Sequence, residues 1–162
     1  MKQQTCNLTL AACAVLGLLA GCADLNDTGL AALSIRVQAY AVVDEQLVQG
    51  EMVLFPDHSG TVAMRAEPMV PSGKAPLTSC VGRLRYASTT IGTIDLRCND
   101  GTVADLRMAL IGESRGYGYG QTATGLVSLT FGMTPVEARA HLTVPPGKQL
   151  LETAASGGLG LQ

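Results

Sequence analysis

Residues 80–111 read CVGRLRYASTTIGTIDLRCNDGTVADLRMALI, and this stretch decides the fold. Apolar and polar residues alternate with a period of two, through Leu84, Ile94, Leu96, Ala104 and Leu106, which is the period of a half-buried β-strand. With Cys80 and Cys98 directly opposed, Leu84 faces Ile94, Gly82 faces Leu96 and Tyr86 lies over Gly92, all on one apolar side. Arg83 then faces Asp95 on the other side, an opposite-charge cross-strand pair. Asn99-Asp100-Gly101 supplies the next turn, with glycine free to take a positive φ. A three-residue loop pairs Cys98 with Thr102, Leu96 with Ala104 and Ile94 with Leu106. A two-residue loop would slip the register by one and set Leu96 against Asp105, turning every side chain to the wrong face. The favoured register sets Asp95 opposite Asp105, with Arg83, Arg97 and Arg107 on hand to neutralise them.

Outward from this core the pattern continues. Leu33–Val43 alternates through Leu33, Ile35, Val37 and Ala39. Glu51–Phe55 and Thr61–Arg65 flank Pro56-Asp57-His58-Ser59-Gly60, a turn composition that makes them a hairpin. Residues 68–76 (PMVPSGKAP) read as an exposed connection, and Leu126–Phe131 is a further strand. Gly60-Thr61-Val62-Ala63-Met64-Arg65 resembles Gly92-Thr93-Ile94-Asp95-Leu96-Arg97, with a looser copy from Gly125 to Thr130. These read as three related hairpins in an antiparallel meander. Thr134 and Glu137 form a capping box with Pro135 at the first helical position, so one short helix precedes Pro145-Pro146-Gly147. The expected architecture is all-β: a small antiparallel sandwich or incomplete barrel of about seven strands, with one short C-terminal helix. Residues 33–150 form the β-domain and residues 151–162 a disordered tail.

The chain has 162 residues, a formal net charge of −2, 47% hydrophobic and 15% charged residues. That is one domain, with no charge excess that would imply a nucleic-acid partner. Tryptophan is absent and phenylalanine occurs twice, so the core is aliphatic. The N-terminus has its own logic. Lys2 and the amino terminus precede the apolar run Leu8–Ala20 (LTLAACAVLGLLA), which is too short to span a bilayer and suits a signal peptide. The run ends in Leu19-Ala20-Gly21-Cys22, where small residues flank a cysteine. This tetrad resembles the lipobox of bacterial lipoprotein precursors. The resemblance implies cleavage before Cys22, diacylglycerol and further acyl chains such as palmitate on Cys22, and anchoring to a membrane. It divides the chain into a signal peptide, 1–21, and a lipidated tether, 22–32. Ala23, rather than aspartate, after the lipidated residue implies sorting to the outer membrane, facing the periplasm.

Five cysteines then sort by compartment. Cys6 and Cys13 leave with the signal peptide and Cys22 is acylated, so Cys80 and Cys98 form a disulfide in an oxidising space. A zinc site built from Cys80, Cys98, His58 and His141 lacks close ligand spacing, and no metal or other cofactor is expected. Gly116-Tyr117-Gly118-Tyr119-Gly120 leads towards a strand and not into a helix N-terminus, so it reads as a hairpin tip or bent strand, not a phosphate loop. Tyr117 and Tyr119 offer stacking surface there. Asp57-His58-Ser59 is a polar turn, because neighbouring side chains point apart whereas a triad converges from separate elements. Arg83, Asp95, Arg97, Asp105 and Arg107 share one sheet face and form a candidate interaction surface. Arginines beside Asp95 and Asp105 keep both ionised, so no acid–base pair results. His141 sits where a helix C-terminus favours a cation. No catalytic residues are assigned. The functional expectation is a membrane-anchored envelope lipoprotein that binds an envelope protein or cell-wall material. A periplasmic small-ligand carrier or hydrolase inhibitor is the alternative, the carrier weakened by the missing lipocalin-type tryptophan, and a hydrolase comes third.

Overall fold

The computed structural model describes residues 33–66, 77–153 and 157–162. The stretches read as signal peptide, lipobox with Cys22, tether and proline-rich connection at 68–76 lie outside the described residues. Eight strands run up and down: β1 Ile35–Val43, β2 Gln46–Leu54, β3 Ser59–Ala66, β4 Ser79–Tyr86, β5 Ile91–Cys98, β6 Val103–Gly112, β7 Arg115–Gln121 and β8 Leu126–Phe131. Each pairs antiparallel with the next, and β8 returns to β1 through Ala39 opposite Phe131 and Val43 opposite Val127, closing a barrel. The closed barrel replaces the expected sandwich or incomplete barrel of seven strands, and the added strand is β7. The glycine run read as a hairpin tip or bent strand is a strand, and it was left out of the count of seven because glycine carries little intrinsic strand preference.

The central registers are those read from the sequence. Cys80 stands opposite Cys98, Leu84 opposite Ile94 and Tyr86 opposite Gly92. Beyond the turn, Leu96 pairs with Ala104 and Ile94 with Leu106, and the Cys98 amide donates to the Thr102 carbonyl at 2.9 Å. Cys80 and Cys98 are joined by a disulfide across β4 and β5. The β1–β2 hairpin turns on Asp44 and Glu45, at φ 43° and 71°, the paired left-handed conformation that a two-residue hairpin needs. Asp44 then accepts from the hydroxyls of Thr122 and Thr124 at 2.7 and 2.6 Å. That ties this turn to the one between β7 and β8.

Inward-facing side chains fill the barrel. Met52, Met64, Leu84, Ile94, Leu96, Leu106, Met108, Leu129 and Phe131 are each at most 2% exposed. Methionine suits this work, since its unbranched chain fits irregular gaps between strands that diverge. Close closure also needs positions with no side chain at all. Gly116, Gly118 and Gly120 face inward from β7 and lie against the backbone carbonyls of Ala109, Arg107 and Asp105 on β6. The apolar interior and charged exterior are the reverse of a transmembrane barrel, whose apolar band faces lipid. Among the described residues no helix is long and apolar enough to cross a membrane.

After β8, Gly132 turns the chain at φ 67° and its amide donates to the Gln38 carbonyl at 2.9 Å. Helix α1, Pro135–Arg139, follows with the expected capping box at Thr134 and Glu137. The C-terminal residues, read as a disordered tail, instead pair where they are described: β9 Leu150–Thr153 lies antiparallel to β10 Gly158–Leu161. Leu150 and Leu159 are buried with Met133, Ala138 and Leu142 against Tyr40, Val42 and Leu47. This second core covers the outside of β1 and β2 and explains why residues 39–43 (AYAVV) show no alternation: that part of β1 is buried on both faces.

Candidate functional site

The C-terminal cover leaves the outer wall over β3–β6, with the first half of β1, open to solvent. Strict alternation places Arg65, Arg83, Arg85, Arg97 and Arg107 outward on that wall, and all are exposed. Arg36 joins them from β1. The outward carboxylates among them are Glu51, Asp95 and Asp105. This wall is therefore basic in a chain whose formal net charge is −2.

Pairing on the wall differs from the expectation in one respect. Arg83 does stand opposite Asp95 in register, but the carboxylate of Asp95 instead accepts from Arg97, two residues along the same strand, at 3.3 Å. Asp95 and Asp105 do stand opposite each other, and the Arg97 guanidinium offsets the charge of Asp95. Arg36 pairs with Glu51 at 3.3 Å. Arg65, Arg83, Arg85 and Arg107 meet no carboxylate among the described residues.

Tyr117 and Tyr119 both point outward from β7 but serve differently. Tyr117 is half-buried and stacks on His141, with ring centroids 4.1 Å apart and planes 20° from parallel. Wrapping of the C-terminal segment thus uses Tyr117 as packing surface for His141, which follows the helix C-cap Ala140. Tyr119 remains 46% exposed and stands opposite Arg107. Burial holds its phenol above the ordinary tyrosine range, with Tyr117 adding to the effect.

The Asp57-His58-Ser59 turn is a local hydrogen-bonded device. Asp57 accepts from the Ser59 hydroxyl at 2.6 Å and from its amide at 3.1 Å. Those bonds stabilise the ionised carboxylate and lower the Asp57 pKa. His58, at φ 62°, turns its ring towards Tyr86 with centroids 5.6 Å apart. The serine proton is therefore committed to a carboxylate, not to an imidazole. Both Cys80 and Cys98 sulfurs are spent in the disulfide, which leaves the four-residue zinc set without its thiolates.

The strongest perturbation of a titrating group lies on α1. Glu137 is held at about 2, first by the Thr134 backbone amide, then by the Thr134 hydroxyl and the Arg115 guanidinium. Its contribution to the helix cap is complete above the ordinary glutamate range and is lost as pH falls towards about 2. An NMR titration of the Glu137 side-chain carboxyl carbon is expected to show its midpoint at about 2, rising only part of the way to the ordinary range in Thr134→Ala, which removes the hydroxyl but keeps the amide and Arg115. A midpoint already in the ordinary range in the parent would mean that the cap does not form.

No protein-family model and no curated protein matches the chain. A redesigned β-barrel of known structure is similar at a TM-score of 0.42 and 18% identity, over 59% of this chain and 86% of that one. Three arginines of the wall, Arg36, Arg65 and Arg85, are not among the residues that the sequence singles out as an interaction surface. Arg85 was within reach, being two places from Arg83 on the same face. Arg36 belongs with them only because β1 and β4 are brought together across β2 and β3.

Proposed function

We propose that this chain is a lipid-anchored, non-catalytic binding module of the bacterial envelope, held by acyl chains on Cys22 and docking an envelope protein or cell-wall material through its outer wall. The observation that carries the binding part is the open basic wall on a barrel whose interior is already filled. A carrier needs room along the axis, and a void there would leave its wall residues exposed, whereas Met52, Ile94, Leu129 and Phe131 are 0% exposed. The anchor rests on Leu19-Ala20-Gly21-Cys22 and the apolar run before it. Each buried methylene of an acyl chain adds about 0.8 kcal/mol, so two or three chains hold where one would not. Ala23 supports an outer-membrane address, facing the periplasm.

The test has two parts in cells producing the full chain. Labelled palmitate is expected to enter the parent protein and to be lost in Cys22→Ser, which should also leave the outer-membrane fraction. Photo-crosslinkers placed at Thr93 or Ala109, outward on the wall beside the arginines, are expected to capture one dominant envelope component. Label retained in Cys22→Ser would defeat the anchor. Diffuse or absent crosslinks from the wall, with a defined product from the C-terminal cover at Leu151, would move the binding face.

A further inference from the structure

The basic wall has a shape as well as a charge. On one register row, Arg36 of β1, Val53 of β2, Thr61 of β3 and Arg83 of β4 stand side by side. Two arginines thus flank two strands of short side chains, with their Cα atoms roughly 14 Å apart at normal strand spacing. On the adjacent outward row Ala63 lies between Glu51 and Val81. The result is an open groove of about 750 Å³, floored by Thr61 and Ala63 and walled by Arg36 on one side and Arg83 and Arg85 on the other.

Charge along this groove is unevenly spent. Glu51 engages Arg36 and Asp95 engages Arg97, while Arg83 and Arg85 keep their guanidinium forks free of carboxylates among the described residues. These two occupy alternate positions of one strand, roughly 7 Å apart along it. Any other extended chain presents alternate side chains at the same repeat. A guanidinium fork grips a carboxylate with two parallel hydrogen bonds, a geometry that an ammonium lacks.

We infer that the groove binds an extended acidic segment of a partner protein, its alternate carboxylates held by Arg83 and Arg85. This rests on the binding-module reading above and names the partner's chemistry. A bilayer surface is flat on this scale and does not reach a floor of Thr61 and Ala63 below standing arginine side chains, whereas a single extended chain does. The closed barrel has no free strand edge, so strand addition is not the mode of binding and side-chain charge carries the recognition. Val81, 57% exposed on the wall of the groove, gives small apolar groups of such a segment a place to rest.

The test titrates the mature lipidated protein, held in phosphatidylcholine nanodiscs, with a fluorescent peptide of about ten alternating Glu and Thr residues, long enough to span the barrel wall. The same peptide with Gln for Glu is the control, and vesicles containing phosphatidylglycerol are titrated separately. The Glu peptide is expected to bind saturably and the Gln peptide not at all. Affinity should fall about tenfold in each of Arg83→Ala and Arg85→Ala and stay unchanged in Arg139→Ala on α1. All three side chains are exposed, so the fold survives the changes. No binding of the Glu peptide, or equal losses in all three variants, would overturn the inference. Capture of the anionic vesicles through Arg83 and Arg85 with the peptide ignored would overturn it too, and would give the wall to lipid. Failure here leaves the palmitate result standing, while loss of the anchor reading would leave peptide binding to be measured on its own.

Discussion

Replacing Gly118 by alanine is expected to cost about 3 kcal/mol of folding stability, while the same change at Gly112 leaves stability unchanged or raises it by up to about 1 kcal/mol. Gly112 ends β6 and Gly118 lies in the middle of β7, and the two do opposite things. A methyl group on Gly118 would fall on the Arg107 carbonyl oxygen and the Met108 sulfur, and 2.9 Å from the Met108 Cα. Two of those three atoms are backbone of β6, so no side-chain rotation relieves the overlap. Met108 cannot swing aside either, because it is 2% exposed inside a filled barrel. In an open sheet β7 could drift from β6, but here it is also bonded to β8, and β8 to β1. Strain at one seam is carried around the ring. Around Gly112 nothing lies within 4 Å of the added methyl, and alanine there only narrows the unfolded ensemble. Urea unfolding followed by far-ultraviolet circular dichroism measures both. A Gly118→Ala variant within about 0.5 kcal/mol of the parent would show that β7 is not pressed onto β6.

The same glycines mark where the sequence could be read and where it could not. The β4–β5–β6 register was legible because local constraints agreed: two cysteines, a glycine turn, and an alternation that a slip of one residue would invert. For β7 the local signals left a hairpin tip and a bent strand both open. Glycines at 116, 118 and 120 weaken strand preference, and the reason for them lies in β6, a neighbour crowding them from inside the barrel. Closure was hidden for a related reason. Ala39 meets Phe131, and nothing near either residue encodes a contact so distant in sequence. The trace it left was the loss of alternation in residues 39–43, and in 126–131 (LVSLTF), where five of six positions are buried. Such runs report cover on both faces, here the barrel interior and the C-terminal segment.

The candidate site divides along the same line. Parity alone put Arg83, Asp95, Arg97, Asp105 and Arg107 on one face, and all five lie there. Which of them pair depends on side-chain rotamers, which parity does not contain: the register sets Asp95 opposite Arg83, while its carboxylate accepts from Arg97. Tyr117 and Tyr119 read alike from sequence as exposed stacking surface, but only Tyr119 is exposed. Only the return of the chain at His141 separates a packed tyrosine from an exposed one.

Breaking the Cys80–Cys98 bridge is the other change expected to act strongly. The bridge closes a loop of 18 residues, and on the chain-entropy model such a loop is worth about 3 kcal/mol, or roughly 10 °C in Tm for a unit of this size. Most of that acts through the unfolded chain. In the folded barrel β4 and β5 are held by a full ladder from Cys80 to Tyr86, so the register survives without the bond. Two experiments separate the contributions. Reduction removes the link but keeps both sulfur atoms in place, whereas Cys80→Ala/Cys98→Ala also removes sulfur from a core where Cys80 is 1% exposed. Thermal unfolding should therefore rank the oxidised parent first, the reduced parent second and the double alanine variant lowest. If the reduced parent matched the oxidised one, the unfolded chain would already hold these strands together and the bridge would add nothing. The expected ranking ties stability to redox environment. A chain kept in a reducing space folds to the same barrel with a smaller margin and reaches full stability only where the bridge can form.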